Sequence, residues 1–301
     1  MAHHSHHPAD PYVVDWAEKA AGLVEMARDD QEWYEQRAAE LVRPADRVAV
    51  DIGCGGGGMT LALAAALGAD GRVVAVDAEP ELLAAVRERV AAAGPALAGV
   101  ELVAADLGDG TGPVAAALAG PADLIWASAS LHHVGDQQAA VDALAGLLGP
   151  GGRLALAEGG LPARHLPWEL GVGEPGLELR LDEANDRWFA RMRAELPGSV
   201  SMPYGWTEAL LRAGLTDVTT RTMLREQPPP LAEPDRRQLA ERFGRWVDRV
   251  RPTGLLDSAD LATWDRLLDP DDPAWLGGRT DLFRLSARSV HLGTRATGGV
   301  G

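Results

Sequence analysis

Between residues 47 and 158 the hydrophobic positions fall into short apolar runs separated by longer helix-like ones. The first short run, Val48–Ile52, shows no alternation of polar and apolar residues. That is the pattern of a strand covered on both faces. Arg72–Val76, Val100–Ala104, Asp123–Ala127 and Leu154–Ala157 predict four more strands. Met59–Leu67 is a run of good helix formers. The next helix opens at Pro80, where a missing N–H costs nothing. Leu82, Leu83, Val86 and Val90 give it one apolar stripe, and Gly94 is placed to end it. Gln137–Leu148 predicts a helix closed by the turn Gly149-Pro150-Gly151-Gly152. Strands alternating with helices at this spacing predict an α/β fold with a doubly wound parallel sheet.

Outside that stretch the pattern changes. Residues 11–43 read as helical and carry Trp16, Trp33 and Tyr34. After a break at Gly159-Gly160 a long helix is expected near Glu178–Leu196. Thr207–Ala213 predicts a helix capped by Gly214, and Val218–Leu224 alternates as a sixth strand that Pro228-Pro229-Pro230 ends. Helices follow near Ala232–Val250 and Asp257–Leu268, and Leu282–Leu292 reads as the seventh strand. The expected organisation is an N-terminal tail with cap helices (1–43), a ligand-binding core (44–158) and a cap insertion (159–203). A core continuation (204–226), a helical insertion (227–281) and a last strand with its tail (282–301) complete it. There is no internal repeat.

Composition narrows the partners. A formal net charge of -16 lacks the basic face that a sequence-independent grip on nucleic acid needs. Anionic membrane surfaces are disfavoured for the same reason. The longest strongly apolar run, near residues 59–69, falls well short of the roughly 18–20 residues that cross a bilayer. Cys54 is the single cysteine, so no intrachain disulfide forms. With no signal-peptide pattern, the expectation is a cytoplasmic protein. Of nine tryptophans only Trp126 lies between residues 45 and 158, and every Tyr and Phe lies outside that stretch. An aromatic cap can line a pocket for an apolar or aromatic small molecule, or simply glue helices to the sheet. The cluster His3-His4-Ser5-His6-His7 reads as a tag-like tail rather than a metal site.

The richest segment is Val48-Ala-Val-Asp-Ile-Gly-Cys-Gly-Gly-Gly-Gly-Met-Thr60, a strand, a glycine turn and a helix start. Such a turn lets a ligand approach backbone N–H groups at a helix N-terminus. Gly53-x-Gly55-x-x-Gly58 fits a dinucleotide turn, and Asp51-x-Gly53-x-Gly55-x-Gly57 fits another chemistry. A pyrophosphate is repelled by a fixed carboxylate beside it, whereas an ammonium or sulfonium is attracted. Asp51 therefore favours a cationic, amino-acid-like ligand over NAD. Cys54, inside the turn, reads as a small packing residue. Asp77 ends the second strand, where a carboxylate can accept from both ribose hydroxyls. Asp106 follows the third strand and can accept from an adenine amine. Each of these acids could also be a cap. Three at successive strand ends make three independent caps improbable.

Together with Ala127-Ser-Ala-Ser-Leu-His-His-Val134 and Leu148-Gly-Pro-Gly-Gly152, these elements resemble the class I S-adenosylmethionine-dependent methyltransferases of the small-molecule type. The resemblance is strong over residues 30–158 and moderate over 204–225. It implies a Rossmann-like, seven-stranded, mostly parallel sheet with helical cap insertions, and S-adenosylmethionine as cofactor. By this resemblance Asp51, Gly53, Cys54, Gly55 and Gly57 hold the methionine part, and Asp77 holds the ribose with Ala78 near the adenine. Asp106 and Leu107 hold the adenine edge, Ser128 lies beside the methyl group, and Tyr34 covers the cofactor.

Methyl transfer from a sulfonium is an in-line displacement, so the protein mainly positions and desolvates the acceptor. A hydroxyl or carbon acid also needs a base. His132 and His133 are the candidates, since they follow strand four at the mouth of the sheet. Adjacent residues point in different directions, and the sequence does not choose between them. His165, in the cap, is a weaker candidate, and His291 reads as structural. No metal is expected: metal-dependent relatives of this core place an Asp-Asn pair after strand five, where this chain has Glu158-Gly-Gly. Asn185-Asp186 reads as a solvated helix face. Arg180, Arg187 and Arg191 read as surface residues, with a substrate carboxylate as the other possibility. The expected activity is O-, N- or C-methylation of a small molecule, possible in secondary metabolism. The alternatives are a lyase- or cyclase-like use of the same cofactor and a non-catalytic cofactor-binding protein.

Overall fold

The structure, a computed structural model, describes residues 16–94 and 97–297, with side chains from residue 20 onward. The His3–His7 cluster lies outside the described residues. The elements are α1 (Trp16–Asp29), α2 (Gln31–Leu41), β1 (Val48–Ile52), α3 (Gly58–Leu67), β2 (Arg72–Asp77), α4 (Pro80–Ala93), β3 (Gly99–Ala104), α5 (Gly112–Leu118) and β4 (Ala122–Ser128). They continue with α6 (Gln137–Gly146), β5 (Leu148–Arg164), α7 (Leu177–Glu195), α8 (Trp206–Arg212), β6 (Leu215–Gln227), α9 (Glu233–Val250), α10 (Ser258–Leu268) and β7 (Arg284–Arg295). No described helix is long and apolar enough to cross a membrane.

The strands form one seven-stranded sheet in the order β3-β2-β1-β4-β5-β7-β6. The first five pair in parallel, with Asp51 opposite Ala75 and Trp126, Asp77 opposite Ala104, and Ser128 opposite Ala157. This register brings the carboxyl ends of five strands to one edge, where ligands of doubly wound sheets bind. Thr216 reaches the Thr294 carbonyl, Thr220 reaches His291 and Thr222 reaches Ser289. Numbers rise on β6 as they fall on β7, so that pair is antiparallel. Central strands are buried on both faces, and the edge strand β3 alternates with solvent. The core between sheet and helices is built from Val50, Ile52, Val74, Val76, Ile125, Leu131, Leu144 and Leu156.

The chain divides into two compact units, the boundary falling within β5, β6 and β7. The sheet unit contains residues 16–159, Pro197–Thr222 and residues 289–297. The cap unit contains Gly160–Leu196 and Met223–Arg288. The cap unit has its own core, in which Leu181, Trp188 and Met192 of α7 meet Leu239, Phe243 and Val247 of α9 and Trp264 of α10. Phe243 and Trp264 are fully buried, their rings 4.9 Å apart. Much of the cap's aromatic area is thus internal glue.

Three local expectations are corrected. The helical stretch near residues 11–43 is two helices, broken at Asp30. The fifth strand runs to Arg164 rather than ending at Ala157. Gly160 does not break it, because its α-carbon passes against the Ala287 backbone, where no Cβ fits. The segment Gly112–Leu118, not anticipated, forms α5.

Candidate functional site

The glycine loop joins β1 to α3. Gly53, Gly55 and Gly57 have φ of 62°, 51° and 75°, in the left-handed region that glycine adopts without strain. Close approach requires them too. A Cβ on Gly53 would lie 2.6 Å from Cβ of Ser130, and one on Gly57 would lie 2.8 Å from Val86. Tyr34 packs on the start of α3, where a Cβ on Gly58 would meet its ring at 2.5 Å. Tyr34 thus touches the loop itself. Trp33 stands edge-on to Tyr34 and reaches Trp126 at 5.8 Å. Arg89 of α4 donates to the Gly56 carbonyl and, at 2.9 Å, to Gln31.

Several loop N–H groups are used internally. Cys54 N–H donates to the Val76 carbonyl, Gly57 N–H to the Cys54 carbonyl, and Gly55 N–H to Asp77 Oδ2 at 2.8 Å. The turn is therefore held by the protein more than it is offered to a ligand. Cys54 packs its thiol among Ala75, Leu83 and Val86. Burial, then the nearby Asp51 and Asp77, push that thiol well above its ordinary pKa, so it is a packing group and a poor nucleophile.

Asp51 is 2 % exposed and accepts from Thr60 Oγ1 at 2.6 Å. Burial, chiefly, and the charge of Asp77 raise its pKa to about 7 against the Thr60 hydrogen bond. No basic side chain pairs with Asp51 or Asp77 among the described residues. Asp77 accepts Gly55 N–H on one oxygen and Glu79 N–H on the other, at 3.0 Å, leaving lone pairs on both. Ala78 beside it is exposed. Asp106 is exposed and accepts Gly108 N–H at 2.7 Å on Oδ1. Its capping role is real, and Oδ2 has no partner among the described residues. Leu107 is half-buried against the sheet core. Ser128 ends β4, half-buried, opposite Ala157.

Two carboxylates with no basic partner among the described residues, behind the glycine turn, fit a ligand that brings positive charge. They do not fit a pyrophosphate. The acidic pair thus suits a cationic ligand such as S-adenosylmethionine.

The segment after β4 forms a 3-10 turn at Leu131–His133. Its geometry depends on Glu158, which the sequence reading passed over. Glu158 is 2 % exposed. Its Oε1 accepts Ser130 N–H and Leu131 N–H, both at 2.9 Å, and its Oε2 meets His132 Nδ1 at 2.6 Å. The His133 ring lies 4.2 Å from that of His132. The available signal was positional: Glu158 follows the expected strand Leu154–Ala157 as a fourth acid, after Asp51, Asp77 and Asp106. Thr60, the partner of Asp51, had no such signal.

His165 is fully buried in the cap unit with Nδ1 on Glu178 at 2.9 Å. It stands against Phe243, and its position removes it as an acid–base candidate. His291 donates to the Glu158 carbonyl at 3.2 Å and accepts from Thr220 at 2.8 Å. Burial lowers its pKa, consistent with a neutral structural ring. Arg180 is held by Asp260, and Asn185 by the Leu181 carbonyl.

A doubly wound sheet with a glycine turn and acids at its strand ends defines a Rossmann-like fold. The comparisons with known proteins say what it is similar to. Residues 50–154 match the methyltransferase domain family. The chain is 36% identical to trans-aconitate 2-methyltransferase of Methylobacterium radiotolerans over 162 residues, 48% of this chain and 56% of that protein. It is 36% identical to nocamycin O-methyltransferase of Saccharothrix syringae over 138 residues, 45% of this chain and 46% of that protein. The chain therefore spans about half the length of these curated relatives. An O-methyltransferase family protein from Burkholderia thailandensis shares the fold, with a TM-score of 0.50 and 17% identity over 95% of this chain and 62% of that one. Residues 50–154 thus resemble a methyltransferase domain, and they lie within the Rossmann-like sheet described above.

Proposed function

We propose that this protein binds S-adenosylmethionine at the carboxyl edge of its sheet and methylates a small-molecule acceptor. The observation that carries the reading is the pair Asp51 and Asp77, carboxylates without a basic partner among the described residues at a glycine turn that excludes Cβ atoms. S-adenosylmethionine supplies an activated methyl group when bound. The residues of the chain do the rest. Asp51 faces its positive charge, Asp77 accepts from the ribose, and Asp106 with Leu107 takes the adenine edge. Ser128, Tyr34 and the loop glycines enclose it, with Cys54 shaping the turn from behind.

The relatives named for trans-aconitate and nocamycin support small organic acceptors rather than a macromolecule. The acidic charge supports the same choice. The acceptor has apolar or aromatic character, which the tryptophans outside residues 45–158 would suit. A reducing cytoplasm suits a chain with one cysteine.

The test is incubation with S-adenosylmethionine and a panel of phenols, enols, amines and carboxylic acids, followed by mass spectrometry. The expected result is a product about 14 Da heavier, one CH2, with stoichiometric S-adenosylhomocysteine. A rearranged or cleaved product with no added CH2 would assign the site to a lyase- or cyclase-like reaction instead.

A further inference from the structure

We infer that Thr60 is a positioning residue for cofactor binding: its buried hydroxyl favours the charged form of Asp51, the form that a cationic ligand selects. This rests on the S-adenosylmethionine reading and adds to it the residue that sets how the site depends on pH.

The geometry is specific. Asp51 lies in β1 just before the glycine turn, and the chain returns from that turn with Thr60 in the first turn of α3. Both residues are buried. Thr60 Oγ1 donates to Asp51 Oδ2 at 2.6 Å, and no other side chain donates to this carboxylate among the described residues. The backbone N–H of Thr60 also reaches Asp51. A brace for the start of α3 needs only that amide. The hydroxyl is a further donor, which a valine of similar shape would lack. The titratable groups around Asp51 are Asp77 of β2, whose charge opposes a second carboxylate nearby, and the Cys54 thiol of the turn, which stays neutral. Ala75 of β2 and Trp126 of β4 stand opposite Asp51 in the sheet. α3 carries no titratable side chain, and α2 brings Tyr34 against Gly58.

Burial and Asp77 therefore work against the charge of Asp51, and the Thr60 hydrogen bonds work for it. A hydroxyl donor stabilises a carboxylate more than a carboxylic acid. A cationic ligand is attracted to the carboxylate and not to the acid. The hydroxyl and the ligand thus reinforce each other through one state of Asp51. Without the hydroxyl the proton stays on Asp51 to higher pH, and it must leave to solvent before the cation is favoured. A neutral adenosyl ligand makes no such demand. Thr60 in this way separates ligands by charge.

The test is calorimetric titration of the wild type, Thr60→Val and Thr60→Ser with S-adenosylmethionine and with neutral methylthioadenosine, at pH 6.5 and at pH 9. Thr60→Val should bind S-adenosylmethionine about tenfold or more weakly than the wild type at pH 6.5, and within about threefold of it at pH 9. Both proteins meet the same ligand, so this ratio reads Asp51 and not the ligand's own titration. Methylthioadenosine affinity should differ by less than about twofold at either pH, and Thr60→Ser should match the wild type within about threefold. Thr60→Ala gives the same comparison should valine not be tolerated. In the ligand-free proteins, 13C NMR should show Asp51 titrating at least about one pH unit higher in Thr60→Val than in the wild type. A loss of S-adenosylmethionine affinity that is equal at the two pH values, an equal loss with methylthioadenosine, or an unchanged Asp51 midpoint would overturn the inference. If the wild type binds no S-adenosylmethionine at either pH, the methyltransferase reading fails, and the carboxyl titration by itself decides whether Thr60 controls the charge of Asp51.

Discussion

Two histidines in this chain are held in the same way, one in each unit. His132 places Nδ1 on Glu158, which also accepts the amides of Ser130 and Leu131. His165 places Nδ1 on Glu178, which also accepts the amides of His165 and Leu166. The carboxylates are equally buried, at 2% and 5% exposed. The imidazoles are not: the His132 side chain is 28% exposed and that of His165 0%. Around His165 stand Phe243 and Trp246, and its Nε2 has no partner among the described residues. Around His132 stand His133 and the turn after β4, whose Ser130 lies against Gly53. One arrangement pins a chain segment inside an aromatic core. The other, built from the same groups, stands half-buried in the turn after β4. A His–carboxylate pair therefore says little by itself, and access and location give it a role.

The largest expected effect separates the two directly. His132→Gln should lower turnover of a hydroxyl acceptor by roughly 10²–10⁴-fold with little change in urea midpoint, as removal of a general base does. Next is stability. Glu178→Ala strips three donors of their acceptor inside the cap and should cost about 3–5 kcal/mol in urea unfolding. Glu158→Gln keeps the acceptor for Ser130 and Leu131 and should cost about 1 kcal/mol. Equal costs for the two would erase the distinction drawn between brace and base.

Asp51 sharpens the same contrast between structure and function. Its folded pKa of about 7 lies above the ordinary 3.8, so the folded chain keeps a proton that the unfolded chain has already released. Stability of the ligand-free protein should therefore fall as pH rises from about 4 to about 7, by as much as roughly 4 kcal/mol, and then level off. Asp51→Asn should remove that slope. The sign reverses for a cationic ligand, which prefers the ionised form: its affinity should rise with pH by up to about tenfold per unit below pH 7 and then flatten. The smallest effect belongs to the loop. Glycine to alanine at position 57, at φ of 75° and against Val86, should cost about 1–3 kcal/mol by calorimetry.

Much of the sheet unit was legible because its signals are local. An unbroken apolar run followed by glycines needs no distant information, and Asp51, Asp77 and Asp106 are each placed by their own strand ends. The less legible features depend on non-local contact. Gly159-Gly160 reads as a break, and only the neighbouring Ala287 backbone shows that glycine is there for close packing. Glu158 acquires its meaning from a turn 26 residues earlier in the chain. Both His132 and His133 follow the same strand, and the contact of His132 with Glu158 is visible only in the fold. The cap helices were visible by spacing, yet which of their aromatics face inward depended on α7, α9 and α10 meeting.

The central claim is that the acids at the strand ends hold S-adenosylmethionine. Isothermal titration of the wild type and of Asp77→Ala with S-adenosylmethionine at pH 8 tests it most directly. Each hydrogen bond from a ribose hydroxyl to a charged acceptor contributes about 1.5–3 kcal/mol. The expected result is clear binding to the wild type and affinity at least roughly tenfold weaker in the variant. Absence of binding to the wild type, or equal affinities in the two proteins, would contradict it.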